Sequence, residues 1–187
     1  RLAEGLAFGN SARGPVWRTL QTSGSPIESP PPMQAGYQLE KRVFRMDGTL
    51  ADLGSIRQGD RVIVVISGKP EGARNYPTVV VDLLPAGLEI ETLLNPRDGS
   101  GANWDGTRRS GPFAWIGDIT GTDVAESRDD RYVASANLRG EFRYAYIARA
   151  VTPGRYTMPA AQVEYMYRPG VMARTGTSAI TIAPRGG

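Results

Sequence analysis

The feature that most limits the fold is the length and texture of the apolar segments. Arg61 to Ser67, Thr78 to Leu84, Tyr132 to Leu138 and Phe142 to Val151 alternate or run continuously and are rich in Val, Ile, Tyr and Thr. That is the texture of strands, and no segment of ordinary helix length carries a helical apolar period. A further run of the same kind spans Val16 to Thr22. Each run is bounded by Gly, Pro, Asn or Asp. Asp47-Gly48, Asp98-Gly99 and Asp105-Gly106 read as turns, because Gly accepts positive φ and an Asp side chain caps its own backbone. Short strands separated by turns predict an all-β chain folded as an antiparallel β-sandwich.

The 187 residues suit one domain plus an extension. Pro30, Pro31 and Pro32 form a stiff polyproline stretch. We read residues 1–29 as the end of a preceding domain, 30–36 as a linker, and 37–187 as the principal domain, opening with a strand from Tyr37 to Met46. Leu94 to Gly111, rich in Gly, Asn, Asp and Arg, reads as a long loop. The sequence starts at Arg1 and shows neither a signal peptide nor an apolar run of membrane length, so it reads as a soluble piece of a longer protein.

Composition excludes much chemistry. Without Cys there are no disulfides, thiolate nucleophiles or zinc clusters, and without His the usual general base and the commonest metal ligand are missing. The net charge of +3 is small and spread along the chain, with no basic stripe interleaved with aromatics, so no nucleic-acid partner is expected. Only Lys41 and Lys69 are lysines among 22 basic residues, a bias that fits a GC-rich genome better than phosphate binding. Asp129 and Asp130, with Glu126 nearby, could do acid–base work or bind calcium. Adjacent strand residues point to opposite faces, however, and Arg128 and Arg131 flank the pair, so a turn with surface ion pairs is the better reading. Asp98, Asn103 and Asp105 depart from calcium-loop spacing. Neither lysine has the Ser-x-x-Lys context of a dyad, and the stretch from Gly99 to Gly106 lacks the strand-to-helix setting of a phosphate cradle. We expect no enzyme, no cofactor and no metal site.

Two segments carry more. In Phe142 to Val151, Phe142, Tyr144, Tyr146 and Ala148 share one face and Arg143, Ala145, Ile147 and Arg149 the other, as in a core strand with an aromatic inner face. In Val163 to Met172, the residues Tyr165, Met166, Tyr167, Val171 and Met172 crowd around Pro169-Gly170. Apolar residues at a turn cannot all point inward. This is either a loop folded back on its own sheet or a contact tip, since Met adapts its shape and Tyr offers a large rigid surface.

The order of these elements resembles the C-terminal macroglobulin-like domain of the bacterial alpha-2-macroglobulin family. The resemblance covers residues 37 to 183 or so. It is carried by Arg45 to Gly48 with its Met-Asp-Gly turn, Leu53 to Asp60, Val80 to Glu91 with Asp-Leu-Leu-Pro-Ala-Gly, Arg128 to Tyr132, Tyr146 to Tyr156, Pro159-Ala160 and Met166 to Pro169. It implies a macroglobulin-like sandwich of immunoglobulin or fibronectin III-like architecture. It also implies a non-catalytic part of a protease trap, an endopeptidase inhibitor. Its partners would be the thioester-containing and CUB-like domains of the same parent chain, and proteases would be met by the whole parent. By position, Met166 and Tyr167 would form the loop that packs on the thioester-containing domain and shields its bond from water, with Tyr165 and Arg168 as supporting contacts. Gly14 to Thr22 would be the last strand of the CUB-like domain. The parent would be periplasmic and anchored to the inner membrane. The rival reading is an immunoglobulin-like binding module of a secreted adhesin or sugar-binding protein, with Trp104, Trp115 and the loop around Asp98 as its site.

Overall fold

The computed structural model describes residues 9–11, 13–19, 21, 23, 28–72, 75–99, 107 and 110–186. The chain divides into two compact units, Arg1–Pro30 and Pro31–Gly187.

In the first unit no described residue is in a strand or helix. The strand expected over Val16 to Thr22 is therefore not formed at residues 16–19 or 21, and Leu20 and Thr22 lie outside the described residues. A strand needs a neighbour for its N–H and C=O groups, and among the described residues of this unit none is offered.

The described residues of the second unit form thirteen strands and one 3₁₀ turn, Ala114–Ile116. The strands are β1 (Met33–Ala35), β2 (Tyr37–Arg45), β3 (Ile56–Arg57), β4 (Arg61–Pro70), β5 (Tyr76–Leu83), β6 (Leu88–Leu94), β7 (Val124–Arg128), β8 (Arg131–Leu138), β9 (Phe142–Ala150), β10 (Gly154–Met158), β11 (Ala161–Tyr165), β12 (Met172–Arg174) and β13 (Ser178–Ala183). The larger sheet runs β1-β12-β11-β5-β8-β7 and the second β2-β4-β9-β6. A third sheet, β10-β13-β3, contains the one pair of strands that run parallel among the described residues, β13 and β3, with Ile182 beside Ile56. The fold is the expected all-β sandwich. Its core draws on both main sheets: Tyr37, Val64 and Tyr146 from one, Val80, Tyr132 and Val163 from the other, with Ile180 and Ile182 of β13.

The continuous apolar run of β4 has a specific cause. Val62, Val64 and Ile66 face the main core, while Ile63 and Val65 face a second cluster with Ala145 and Ile147 of β9. That outer cluster is covered by Ile116 and Ile119. A strand buried on both faces loses its alternation, as it does in covered sheets. Within β9, the aromatic face foreseen from the sequence lies in the main core, and the opposite face is covered as well at Ala145 and Ile147.

Turn chemistry follows the expected residues. Gly48 has φ +88° after Asp47, whose carboxylate accepts from Thr49 N at 2.9 Å. A Cβ on Gly48 would lie 2.9 Å from the Trp115 ring, so this glycine serves both the turn and the docking of Trp115. One boundary shifts. Residues 33–35, read as linker, form β1 and pair with β12 (Met33 opposite Arg174, Ala35 opposite Met172). Ala173 is fully buried, and an uncovered β12 would expose its edge, so the linker reading does not extend to these residues.

Candidate functional site

Two groups of side chains stand out, one exposed and one buried. The exposed group is the tip joining β11 to β12. Tyr165 N donates to Val171 O at 2.9 Å, closing the hairpin. Within it, Arg168 N donates to Tyr165 O and Val171 N to Arg168 O, both at 3.1 Å. Gly170 takes φ +95°, which Pro169-Gly170 supplies without strain. Met166 N leaves the hairpin and donates to Pro77 O of β5 at 2.8 Å. The tip backbone is thus fastened internally and to the neighbouring strand.

Its side chains are not covered. Met166 is 52% exposed and Tyr167 75%, while Tyr165 is half-buried and Arg168 exposed. The Tyr165 ring meets the Tyr167 ring edge-on at 6.3 Å and the Tyr76 ring at 5.4 Å. Tyr76 in turn meets Tyr37 at 5.7 Å. Tyr37 is fully buried, its hydroxyl shares a 2.7 Å hydrogen bond with Thr78, and burial raises its pKa. Four tyrosines therefore step from the core to the surface. On the other limb, Gly36 has φ +89°, and a Cβ there would lie 2.7 Å from Val171 Cγ1.

The buried group was not foreseen as a unit. Lys41 Nζ lies 2.6 Å from Asp82 Oδ1, and their side chains are 5% and 0% exposed. Tyr146 donates to Asp82 Oδ2 at 2.7 Å, and Lys41 donates to Pro159 O at 3.2 Å. Burial pushes the Asp82 carboxyl up, against the opposing pull of Lys41 and then of the Tyr146 hydroxyl. Burial, and then the adjacent Asp82, push the Tyr146 hydroxyl well above its ordinary value. Every polar atom of the group has a partner, and it joins β2 and β9 of one sheet to β5 of the other. That is the arrangement of a structural ion pair. The signal was present in β2: Tyr37, Leu39, Lys41 and Val43 share the inward face, and a lysine there needs an anion.

The remaining candidates resolve plainly. Asp129-Asp130 is the two-residue turn of the β7–β8 hairpin. Arg131 Nε donates to Asp130 at 2.9 Å and Arg128 Nε to Glu126 at 3.0 Å, so these are exposed ion pairs as expected. Asp98 accepts from Asn95 N at 2.8 Å within a turn, while Asn103, Trp104 and Asp105 lie outside the described residues. Trp115 packs on Phe44 at 5.0 Å and on Gly48, as a cover for the outer face of the smaller sheet. Lys41 is committed to Asp82, so it forms no dyad with serine. Among the described residues no cluster of His, Cys, Asp and Glu could hold a metal, and no helix is long and apolar enough to cross a membrane.

Residues 36–170 match the family described as the bacterial alpha-2-macroglobulin MG10 domain. The alpha-2-macroglobulin of Escherichia coli K12 is 34% identical over 168 residues, covering 88% of this chain and 10% of that protein. The chain thus spans about a tenth of the length of the curated alpha-2-macroglobulins it matches. Among solved structures, native E. coli alpha-2-macroglobulin from domain MG7 to the C-terminus is similar with a TM-score of 0.73 at 33% identity, covering 86% of this chain and 25% of that one. Salmonella alpha-2-macroglobulin reacted with methylamine gives 0.67 at 33% identity, covering 86% of this chain and 10% of that one.

Proposed function

The chain belongs to the bacterial alpha-2-macroglobulin family as its C-terminal macroglobulin-like domain, and from that premise we propose that it is the closing element of a protease trap. In this reading the tip Tyr165–Arg168 packs on the thioester-containing domain of the same parent chain, with Met166 and Tyr167 inserted and Tyr165 and Arg168 at their flank. The contact shields the thioester from water and small amines until a protease cuts the parent. The parent works in the periplasm from an inner-membrane anchor, and its CUB-like domain precedes this one. The domain itself does no chemistry.

The observation that supports this most directly is the contrast at the tip between a fastened backbone and bare side chains. Met166 and Tyr167 are among the large apolar residues left exposed, yet their backbone is tied at both hairpin limbs and to Pro77. A rigid Tyr and an adaptable Met held in place cost little ordering entropy on contact, which suits an anchor that must be released later. A loop folded back on its own sheet would have covered them.

The test uses the whole parent protein. Tyr167→Gly should accelerate inactivation by methylamine severalfold, because the shield opens without protease. An unchanged rate would remove the lock role and leave the tip an ordinary interdomain contact.

A further inference from the structure

The tip owes its place to a residue about ninety positions upstream. We infer that Tyr76, the first residue of β5, is the positioning residue of the tip. Its ring stands between the fully buried Tyr37 ring at 5.7 Å and the half-buried Tyr165 ring at 5.4 Å, edge-on to both. Tyr165 then carries Tyr167 at 6.3 Å, again edge-on. Edge-to-face pairs are directional, since the positive edge of one ring seeks the negative face of the next, so a row of them transmits orientation. The row begins at a side chain the core cannot release and ends at one that solvent touches.

Tyr76 is itself fixed twice. Its hydroxyl donates to Glu71 O at 2.8 Å, tying the start of β5 to the chain that leaves β4. Its backbone pairs with Leu138 of β8. The next residue, Pro77, supplies the carbonyl that takes the Met166 N–H at 2.8 Å. Tyr76-Pro77 thus holds the tip through a ring on one side chain and an acceptor on the adjacent backbone. Proline at 77 gives no N–H of its own, and its ring restricts the backbone at φ just before that carbonyl. Tyr76 and Pro77 are both partly buried, and they meet the tip through the Tyr165 ring and the Met166 N–H. The bearing of Tyr76 on the trap rests on the lock reading given above.

The experiment follows hydrogen exchange in the intact parent protein, in the peptide covering residues 163–172, for the wild type and three variants. Tyr76→Leu removes the ring at modest change in apolar volume and should speed exchange at the tip by roughly tenfold, because Met166 N–H loses the frame that keeps it on Pro77. Tyr76→Phe keeps the ring row and loses only the bond to Glu71, so it should exchange at the tip like the wild type. Leu88→Ala cuts a cavity in the core at β6, away from the hairpin, and should loosen the sheet around it with the tip unchanged. Tip exchange in Tyr76→Leu equal to that of the wild type would overturn the inference, as would an equal rise in Leu88→Ala. Methylamine reactivity, measured on the same samples and on Tyr167→Gly, separates the two ideas. If Tyr167→Gly leaves that reactivity unchanged, the lock reading falls while the exchange result still decides the role of Tyr76.

Discussion

The Lys41–Asp82–Tyr146 group and the Tyr165–Arg168 tip are both out of character for where they sit. One puts charge where apolar residues belong; the other puts large apolar side chains where polar ones belong. Their difference lies in how the anomaly is settled. The buried group is closed: each oxygen and the ammonium meet partners inside the domain, at 2.6 to 3.2 Å. The tip is open: its backbone is held by hydrogen bonds within the hairpin and to Pro77, and the Met166 and Tyr167 side chains face solvent. A misplaced residue whose partners are all at hand serves the fold. One whose surroundings are rigid and whose own surface is bare points to something outside the domain.

The comparison can be broken most sharply from inside. Asp82→Ala should destabilise the domain by about 3–5 kcal/mol, because it strands the Lys41 ammonium in the core. Denaturant unfolding of the chain measures this directly. Replacing the whole group by Lys41→Met, Asp82→Leu and Tyr146→Phe should recover most of the loss, as apolar substitutes for buried ion pairs do. If the triple variant stays as unstable as Asp82→Ala, the group does more than hold the two sheets together.

Alkaline pH should separate the regions next. Burial raises the hydroxyl pKa of Tyr132 and Tyr146, and pushes Tyr144 up to about 12 from an ordinary value of 10.0. Below pH 10.0, both the folded and unfolded states keep the Tyr144 proton. Above it the unfolded chain ionises first, so stability falls as pH rises through the folded value, by up to about 1.4 kcal/mol per pH unit for each such tyrosine. Unfolding midpoints recorded from pH 9 to 12 check the slope, and Tyr144→Phe should flatten it. A flat profile in the unsubstituted chain would mean that water reaches these hydroxyls.

The smallest effect is expected at the tip. Tyr167→Gly should change the stability of the isolated chain by no more than about 0.5 kcal/mol, since exposed side chains contribute little. A loss above about 2 kcal/mol would mean that the ring row supports the core as well as being supported by it.

How much of this could be read from residues alone depended on the period. β4, β5, β8 and β9 were legible because their apolar texture is strong and their ends are marked by Gly, Pro or Asp. The Val16 run had the same texture, yet its described residues form no strand, and texture alone does not supply a neighbouring strand. β1 was hidden behind three prolines, and at three residues it is too short to show alternation. The outer cluster was illegible because Ile116 and Ile119 lie in and after a single 3₁₀ turn, where neither strand nor helix spacing applies. Lys41 could have been flagged from its inward position on β2. Asp82 could not have been named as its partner, because a separation of 41 positions says nothing about which strands face each other. At the tip, the Pro-Gly break amid apolar residues marked the segment and left two readings open, and Met166 and Tyr167 were singled out by family resemblance. Tyr76 was not, because only the pairing of β5 with β11 brings it there.

The pairing of β1 with β12 also has a mechanical side. Arg174 donates to Pro31 O at 2.9 Å, just where the compact unit begins, and three residue pairs follow before the chain turns into β2. A load drawn along the chain at Pro31 meets this short joint before it meets the nine residue pairs of β2 with β4. Whatever force it carries is delivered to β12, the strand that returns from the tip. The joint is therefore a weak fuse in series with the tip hairpin, and it would part while the sandwich behind it stayed whole.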